Sequence, residues 1–276
     1  MSPSLETKVL VARSKLCGSA IIEVRDYDEA LLAKFAGARC VLVATPSPSG
    51  GRCTSYSNLI MKIMNCLSPI SVMARVRIGH TPEADALESI GCQFIDESEL
   101  LSVADEKNFL NKHELGIPCV CGCQNLGEAL RRVGEGAVMI RIQGETSRTG
   151  HIAKTVNNLR SVMRDVESLR DMNGCALRHF SARIDAPFDL LVETKRQGRL
   201  PVPTFAAGGI STADDALLLM QLGCDGVFVG SEIFDTEYPL KEIENIIGVL
   251  DSRGDGGFGE TNQSTAEKGS TADQGV

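Results

Sequence analysis

Tryptophan is absent from this chain of 276 residues, and aromatic residues make up only 4% of it. Proteins that bind single-stranded nucleic acid stack the bases on aromatic side chains, so this scarcity argues against that class. Positive charge is also in deficit, because 28 lysines and arginines stand against 36 aspartates and glutamates, which gives a net charge of −8. Together with an isoelectric point of about 5.1, this balance argues against a nucleic-acid footprint and against a polybasic membrane anchor.

Long apolar segments are missing as well. No run approaches the ~20 apolar residues that a membrane-spanning helix needs. The first 16 residues contain only a short apolar patch, which is interrupted by Lys8, Arg13 and Lys15 and is therefore not a secretory signal. We predict a cytoplasmic protein without a membrane segment.

Cysteine, by contrast, is plentiful, and ten cysteines would suggest disulfides in a secreted protein. Several of them, however, lie in or beside apolar runs that are typical of buried strands or helices, namely Cys40, Cys119, Cys121 and Cys224. We therefore expect free thiols in a reducing compartment.

Short β-rich runs alternate with helical patterns along most of the chain, whose apolar content of 43% is sufficient for a large core. The predicted strands are 19–24, 40–43, 70–74, 93–95, 117–120, 138–142, 204–207 and 226–229. The predicted helices are 28–37, 82–91, 126–135, 152–170, 189–197 and 212–223. Eight strands that alternate with helices predict an α/β protein of the (β/α)8 TIM barrel class. The alternative is a doubly wound open sheet, but its glycine-rich first turn is reduced here to Gly18.

The domain organisation follows from the same pattern. We expect a single barrel domain over residues 17–250, preceded by an N-terminal segment, residues 1–16. Residues 251–276 consist mostly of Gly, Ser, Thr, Asp, Glu and Gln and have almost nothing to bury, so we expect a disordered polar tail.

A barrel carries its function at the C-terminal ends of its strands. The seventh and eighth predicted strands end in glycine-rich segments, FAAGGIS at 205–211 and VFVGS at 227–231. Glycines there would let backbone N–H groups approach an anion, and the next helix would add the positive end of its dipole. We interpret the two segments as a phosphate cradle. The alternative is that the glycines only allow tight turns after the strands.

A metal site is a further possibility at the segment CVCGC, residues 119–123, because His113 is near in sequence. A zinc knuckle needs two residues between its thiolates, whereas one residue separates them here. Alternate cysteines of a strand also crowd one face. We therefore favour small core residues at a strand end and expect no metal.

Charged residues at other strand ends have two interpretations each. Asp96, Glu97 and Glu99 are either acid–base groups or ion-pair partners of the arginines in the neighbouring strand, Arg75 and Arg77. A histidine that follows that strand, His80, is either catalytic or structural.

Several of these segments closely resemble the PdxS/Snz family, the synthase subunit of pyridoxal 5′-phosphate synthase. The matching motifs are RIGH at 77–80, IDESE at 95–99, NLGEALRR at 125–132, FAAGG at 205–209 and MQLGCDGVFVGS at 220–231. The resemblance implies a barrel that joins a pentose 5-phosphate, a triose phosphate and ammonia into pyridoxal 5′-phosphate, without a bound cofactor. It also implies a separate glutaminase subunit and synthase subunits that stack as two hexameric rings. By the same resemblance, the pentose phosphate would contact Glu23, Arg160, Gly209, Gly230 and Ser231.

The departures from the family fall on its two covalent groups. The family carries Schiff-base lysines in the segments that correspond to VMARVRIGH at 72–80 and MIRIQGE at 139–145, and Arg75 and Gln143 hold those positions here. Nucleophilic attack needs a neutral amine, and a guanidinium with a pKa of ~12.5–13.8 is neutral in only about one molecule per million at pH 7. A glutamine amide is not a nucleophile. We therefore expect no catalytic residue at either position.

Smaller departures accompany these two. Glu23 replaces a family aspartate and is one methylene longer, and Arg148 stands where the loop after the sixth strand is expected to have a glycine. The segment 44–56 is shorter than the lid of the family.

The loss of both lysines is similar to that in the non-catalytic plant paralogues of this family, which co-assemble with catalytic subunits and modulate them. Our leading hypothesis is a pseudoenzyme that regulates or scaffolds catalytic paralogues in vitamin B6 biosynthesis. One alternative is an active glutamine-hydrolysing synthase, a lyase that uses another lysine such as Lys112 or Lys154. Others are a stand-alone phosphosugar-binding barrel and a decayed gene product. The expected partners are a catalytic synthase paralogue in mixed rings, a phosphosugar and the glutaminase, but neither nucleic acid nor membrane.

Overall fold

The computed structural model describes residues 3–44, 53–98, 109–144 and 151–254. Within these ranges eight parallel strands follow one another around a closed barrel, and the last strand pairs with the first. The predicted (β/α)8 TIM barrel is therefore confirmed. The open sheet is excluded, because its edge strands would remain unpaired.

Four strands have the predicted bounds, and four end later than predicted. The strands are β1 (Ser19–Val24), β2 (Cys40–Val43), β3 (Ser71–Arg77), β4 (Phe94–Ser98), β5 (Cys119–Cys123), β6 (Met139–Gln143), β7 (Thr204–Ala207) and β8 (Gly226–Val229). The apolar pattern predicted ends for β3 and β4 that are too early, because the last residues of both strands are charged or polar and yet remain in the sheet. Arg75 lies opposite Asp96 in the ladder, and Arg77 lies opposite Ser98.

All six predicted helices are present, each with bounds within two residues of the prediction. The helices are α1 (Leu5–Leu16), α2 (Tyr27–Phe35), α3 (Cys53–Leu67), α4 (Thr81–Ser89), α5 (Leu126–Gly134), α6 (Ile152–Ser168), α7 (Gly174–Arg183), α8 (Phe188–Gln197), α9 (Ala213–Gln221) and α10 (Pro239–Gly254). Polar N-caps begin several of them: Asp26 accepts the N–H of Glu29, and Asn125 accepts that of Glu128. The sequence pattern missed α1, α3, α7 and α10.

Helix α1 closes the N-terminal end of the barrel. Its residues Ala12 and Leu16 belong to the same buried cluster as the inward-facing strand residues Ile21, Met73 and Phe205. The amine of Lys8 donates to the carbonyl of Leu115, and Arg13 donates to the carbonyl of Pro201 at 3.0 Å. These carbonyls precede β5 and β7, so α1 is anchored across the base. Chemistry is therefore confined to the opposite, C-terminal end.

The outward faces of the strands form a second cluster against the helices. Cys119, Cys121 and Cys123 all lie in it and are almost fully buried. Their interpretation as small core residues fits this position. Burial also raises the pKa of Cys92 to about 12, so this thiol stays protonated at neutral pH. Cys40, Cys119, Cys121 and Cys224 are buried and form no disulfide, as expected.

Some of the expectations lie outside the described residues. Glu99, Arg148 and residues 45–52 of the shortened segment belong to this group, as does the polar stretch from residue 255 onwards. Helix α10 ends at Gly254, so it continues into the first residues of the segment expected to form the tail. In the part of the chain that the structure describes, no helix is long and apolar enough to cross a membrane.

Candidate functional site

Five polar side chains meet at the C-terminal end of the barrel, which we call the mouth network: Glu23, Arg75, Asp96, Arg141 and Gln143. β1 carries Glu23, β3 carries Arg75, β4 carries Asp96, and β6 carries the other two. Successive side chains of a strand point to opposite faces of the sheet, so these five side chains face the barrel interior and their neighbours face the helices. The network thus occupies the place where a barrel enzyme holds its reacting groups.

Arg75 is the centre of the network. Its Nη1 donates to Glu23 Oε1 at 2.8 Å and its Nη2 donates to Glu23 Oε2 at 2.6 Å, which is a bidentate pair. Its Nε lies 3.4 Å from Asp96 Oδ2. Burial opposes the charge on Arg75, but the carboxylates of Glu23 and Asp96 outweigh it and raise the pKa of the guanidinium above its ordinary value. Arg75 is therefore a permanent cation that a carboxylate pair holds in place.

Arg141 and Gln143 complete the network on the other side of Asp96. Arg141 Nη1 donates to Gln143 Oε1 at 2.7 Å, and Arg141 Nη2 donates to Asp96 Oδ1 at 3.3 Å. Asp96 is fully buried, so both arginines are needed to neutralise its surroundings. Among the residues that the structure describes, Arg141 Nε and Gln143 Nε2 make no hydrogen bond. The network contains two cations and two carboxylates and is electrically neutral.

Sequence reasoning missed Arg141, although a signal existed. Arg141 lies two residues before Gln143, and the period of two in a strand places both side chains on the same face. Tyr56 was also missed. Its hydroxyl accepts the N–H of Arg75 at 2.9 Å and donates to the carbonyl of Val43 at 2.9 Å, which fixes the strand ends next to the network.

The glycines after β7 form a tight turn. Gly208 and Gly209 have φ angles of 103° and 71°. Residues other than glycine rarely adopt these positive φ angles. Thr155 Oγ1 lies 2.8 Å from the carbonyl oxygens of both Ala207 and Gly208. The turn is thus held by α6 from outside.

The amides at the N-terminus of α9 already bind a carboxylate of the protein itself, that of Asp215. Asp215 Oδ2 accepts the N–H of Ser211 at 3.1 Å and that of Thr212 at 3.0 Å, and Thr212 accepts the N–H of Asp215 in return. This capping box uses amides that we expected to contribute to a phosphate cradle.

The other half of the expected cradle, after β8, is formed by Gly230 and the buried Ser231. Ser231 begins a 3-10 helix, Ser231–Asp235. Its second residue, Glu232, directs its carboxylate back against Gly230: a Cβ added there would collide with Glu232 Oε2 and lie 3.3 Å from Glu232 Cδ. Arg160, the remaining predicted phosphate contact, is exposed on α6 and lies outside the mouth network.

A group of ion pairs links the segments that follow β1 and β8. Arg25 follows β1 and donates from Nη1 and Nη2 to Asp235 at 3.1 and 2.8 Å. Its Nε donates to Glu29 Oε1 at 2.7 Å. The 3-10 helix after β8 is therefore tied to the start of α2. No sequence signal linked these residues, since Arg25 and Asp235 are 210 positions apart.

The other charged residues near the rim have structural partners. Arg77 pairs with Glu83, and its Nη2 lies 2.8 Å from His80 Nε2. Of the two interpretations of the acidic segment, Asp96 fits the ion-pair one through Arg75, whereas Glu97 faces outward and pairs with Lys112 at 2.6 Å.

Lys112 is fully buried beside Glu97, Cys119 and Cys121, whose ligand atoms lie within 4.8 Å of one another. Burial opposes the charge of Lys112, but the neighbouring thiols and Glu97 raise its pKa above the ordinary value. A second carboxylate, Glu135, lies 3.0 Å from its Nζ. The ammonium is thus bound by the carboxylate of this group and by Glu135.

The fold and the mouth network define the class of protein: a (β/α)8 barrel with a neutral ion-pair network at the C-terminal end of its strands. A family model described as the SOR/SNZ family matches residues 5–207. The chain belongs to this family.

Named relatives agree with this assignment. The chain is 50% identical over 234 residues to the pyridoxal 5′-phosphate synthase-like subunit PDX1.2 of Arabidopsis thaliana, with 84% of this chain and 74% of the relative covered. It is 47% identical over 237 residues to the pyridoxal 5′-phosphate synthase subunit PDX1 of Phaseolus vulgaris, with 84% and 76% covered. Thiamine phosphate pyrophosphorylase from Pyrococcus furiosus superposes with a TM-score of 0.57 at 14% identity, over 87% of this chain and 98% of that chain. At this identity the superposition supports the barrel fold alone.

Proposed function

We propose that this chain is a non-catalytic subunit of the pyridoxal 5′-phosphate synthase family, which regulates or scaffolds catalytic relatives in vitamin B6 biosynthesis. One observation carries the proposal. The two positions that would need an amine hold Arg75, which is bound by two carboxylates, and Gln143, which accepts from Arg141. Neither side chain can form a Schiff base, and both are held by neighbours that suit their present chemistry.

The names of the relatives support the assembly half of this proposal. PDX1 of Phaseolus vulgaris is named a synthase subunit, and PDX1.2 of Arabidopsis thaliana is named a synthase-like subunit. A barrel that keeps its packing without a nucleophile can act through the surfaces that it shares with other subunits. We therefore propose mixed hexameric or dodecameric rings with a catalytic paralogue, to which the glutaminase could dock. A cytoplasmic location stays a prediction from the sequence.

The alternative of an active synthase needs another lysine in the mouth. Lys112 is unsuitable, because it faces the outer layer and its ammonium is bound by Glu97 and Glu135. Lys154 lies in α6 with an exposed side chain. Neither amine lies on a strand of the barrel.

The experiment that tests this proposal is co-expression with a catalytic synthase subunit under two different affinity tags, followed by native mass spectrometry. We expect rings that contain both chains. Each ring should bind ribose 5-phosphate covalently only through the catalytic chain, which intact-mass measurement after borohydride trapping resolves. The matched control for trapping is the same ring with this chain carrying Arg75→Met.

Three results would contradict the proposal in different ways. Separate homo-oligomers under native conditions would favour a stand-alone phosphosugar-binding barrel. A pentose-sized adduct on the unmodified chain would instead favour an active synthase. An insoluble or non-cooperatively unfolding product would favour the decayed gene product.

A further inference from the structure

The rim after β8 carries a carboxylate at the point where an anion cradle needs free backbone amides. We propose that Glu232 determines the anion specificity of this barrel: its carboxylate occupies the space beside Gly230 and excludes a ligand phosphate. This inference goes beyond the proposed function, because a subunit without Schiff-base lysines could still bind a phosphosugar in an open cradle.

The first support is steric. Gly230 has a φ of −70° and a ψ of 158°, which is extended backbone that any residue adopts. Conformation therefore does not require a glycine at this position. The volume that a Cβ would occupy is instead filled by Glu232 Oε2, the far end of a flexible side chain, so the carboxylate lies beside Gly230 without being a rigid obstacle. The side chain of Glu232 thus folds back over the strand end, although the residue as a whole is exposed.

The second support is the balance of charge around this carboxylate. Asp235, three residues later, takes both terminal nitrogens of Arg25, and Arg25 also binds Glu29. Arg25 is therefore bound by two carboxylates other than that of Glu232. None of the ion pairs among the described residues includes Glu232, so its charge is left over at the rim.

The third support is the neighbouring helix. The amides of Ser211 and Thr212 at the start of α9 already donate to Asp215. The end of the helix dipole that would attract a phosphate is therefore neutralised by the chain itself. Glu232 and Asp215 occupy the two sides of the same rim, after β8 and after β7. A phosphate beside Gly230 would therefore meet the carboxylate of Glu232 without an opposing helix dipole, and like charges at a binding site are strongly unfavourable.

The test compares four proteins: the unmodified chain, Glu232→Gly, Glu232→Gln and the control Glu237→Gln. Glu237 is an exposed carboxylate in the segment that follows the 3-10 helix, so its variant removes the same charge without opening the space beside Gly230. The probes are inorganic phosphate and ribose 5-phosphate, with uncharged ribose as the ligand control. Titration calorimetry gives the dissociation constants, and circular dichroism establishes that each variant is folded.

We expect the Glu232→Gly variant to bind both phosphates at least about 10-fold more tightly than the unmodified chain. Glu232→Gln removes the charge but keeps most of the volume, so its affinity should lie between the two. Glu237→Gln should behave as the unmodified chain does, and ribose should bind equally to all four.

The proposal is overturned by equal phosphate affinity in the unmodified chain and both Glu232 variants. It is also overturned if no folded variant binds phosphate, because the rim would then hold no anion site to block. The Glu232→Gln variant decides the question if Glu232→Gly does not fold. Phosphate binding by the unmodified chain that is as tight as that of the Glu232→Gly variant, without a covalent adduct, would overturn this inference alone and leave the non-catalytic role intact.

Discussion

Restoring a lysine at position 75 should not restore a reactive amine. In the Arg75→Lys variant the new ammonium would lie between Glu23 and Asp96, which now hold the guanidinium at 2.6 to 3.4 Å. A carboxylate cage favours the charged form of the amine, and only the neutral form attacks an aldehyde. The variant should therefore remain nearly inert at neutral pH.

The size of the effect follows from two opposing contributions. An ordinary lysine with a pKa of ~10.4 is neutral in about one molecule in 2,500 at pH 7. Burial lowers the pKa of a lysine by as much as ~3–5 units. A carboxylate at about 4 Å stabilises the ammonium by roughly 4 kcal/mol at an effective dielectric constant of ~20, or about 3 pKa units. Two carboxylates thus offset the burial, and the pKa should stay near its ordinary value.

Removing one carboxylate should release the amine. The side chain of Glu23 is 21% exposed, so water screens part of its charge and the gain will be smaller than the unscreened value. We expect the double variant Glu23→Gln with Arg75→Lys to react about 10- to 100-fold faster than Arg75→Lys alone, which corresponds to a pKa lower by about 1–2 units. The matched control is Glu83→Gln with Arg75→Lys, because Glu83 binds Arg77 and not Arg75.

The assay uses glyceraldehyde with cyanoborohydride at pH 7.5, followed by peptide mapping of the position-75 peptide. Glyceraldehyde carries no phosphate, so the state of the rim after β8 does not enter the result. Equal labelling rates in Arg75→Lys and in the Glu23→Gln double variant would refute the reasoning, since the cage would then have no influence on the amine. Equal acceleration by the Glu83→Gln control would also refute it.

Two further predictions concern stability. Arg75→Ala removes one cation from the fully buried Asp96, so the free energy of unfolding in urea should fall by about 3–5 kcal/mol. Arg77→Ala breaks a pair whose side chains are 35% and 24% exposed and should cost less than about 1 kcal/mol. Equal losses in the two variants would contradict this account. Burial raises the pKa of the Cys92 and Cys224 thiols to about 12 from 9.0, so the folded state keeps protons that the unfolded state loses. Their stabilising contribution is complete below pH 9 and is lost as the pH rises from 9 towards 12, and a urea midpoint that does not fall between pH 8 and pH 10.5 would be inconsistent with it.

Much of the barrel could be predicted from the sequence, because apolar residues recur with different periods in its strands and in its helices. β1, β2, β7 and β8 were predicted with their observed bounds, since their apolar runs end where the strands end. β3 and β4 were predicted too short, because Arg75 and Asp96 interrupt the apolar pattern. Inside the barrel each of these residues is the counterion of the other, so the strand continues through them.

Helix α1 was missed for a related reason. The apolar face of α1 is small and broken by charges, and only the closed barrel offers the cavity that its Ala12 and Leu16 fill. Local patterns do not contain that cavity, because it is formed by all eight strands together.

The sequence by itself determined that positions 75 and 143 carry an arginine and a glutamine, neither of which is a nucleophilic amine, because the chemistry of these side chains does not depend on where the chain folds. It also determined the barrel, through the alternation of two apolar periods. Only the tertiary structure decided which charges meet: Glu23 reaches Arg75 from 52 residues away, and Arg25 reaches Asp235 from 210 residues away. Such contacts depend on the closure of the barrel, which brings strand ends together whatever their separation in the chain, and no local pattern encodes them.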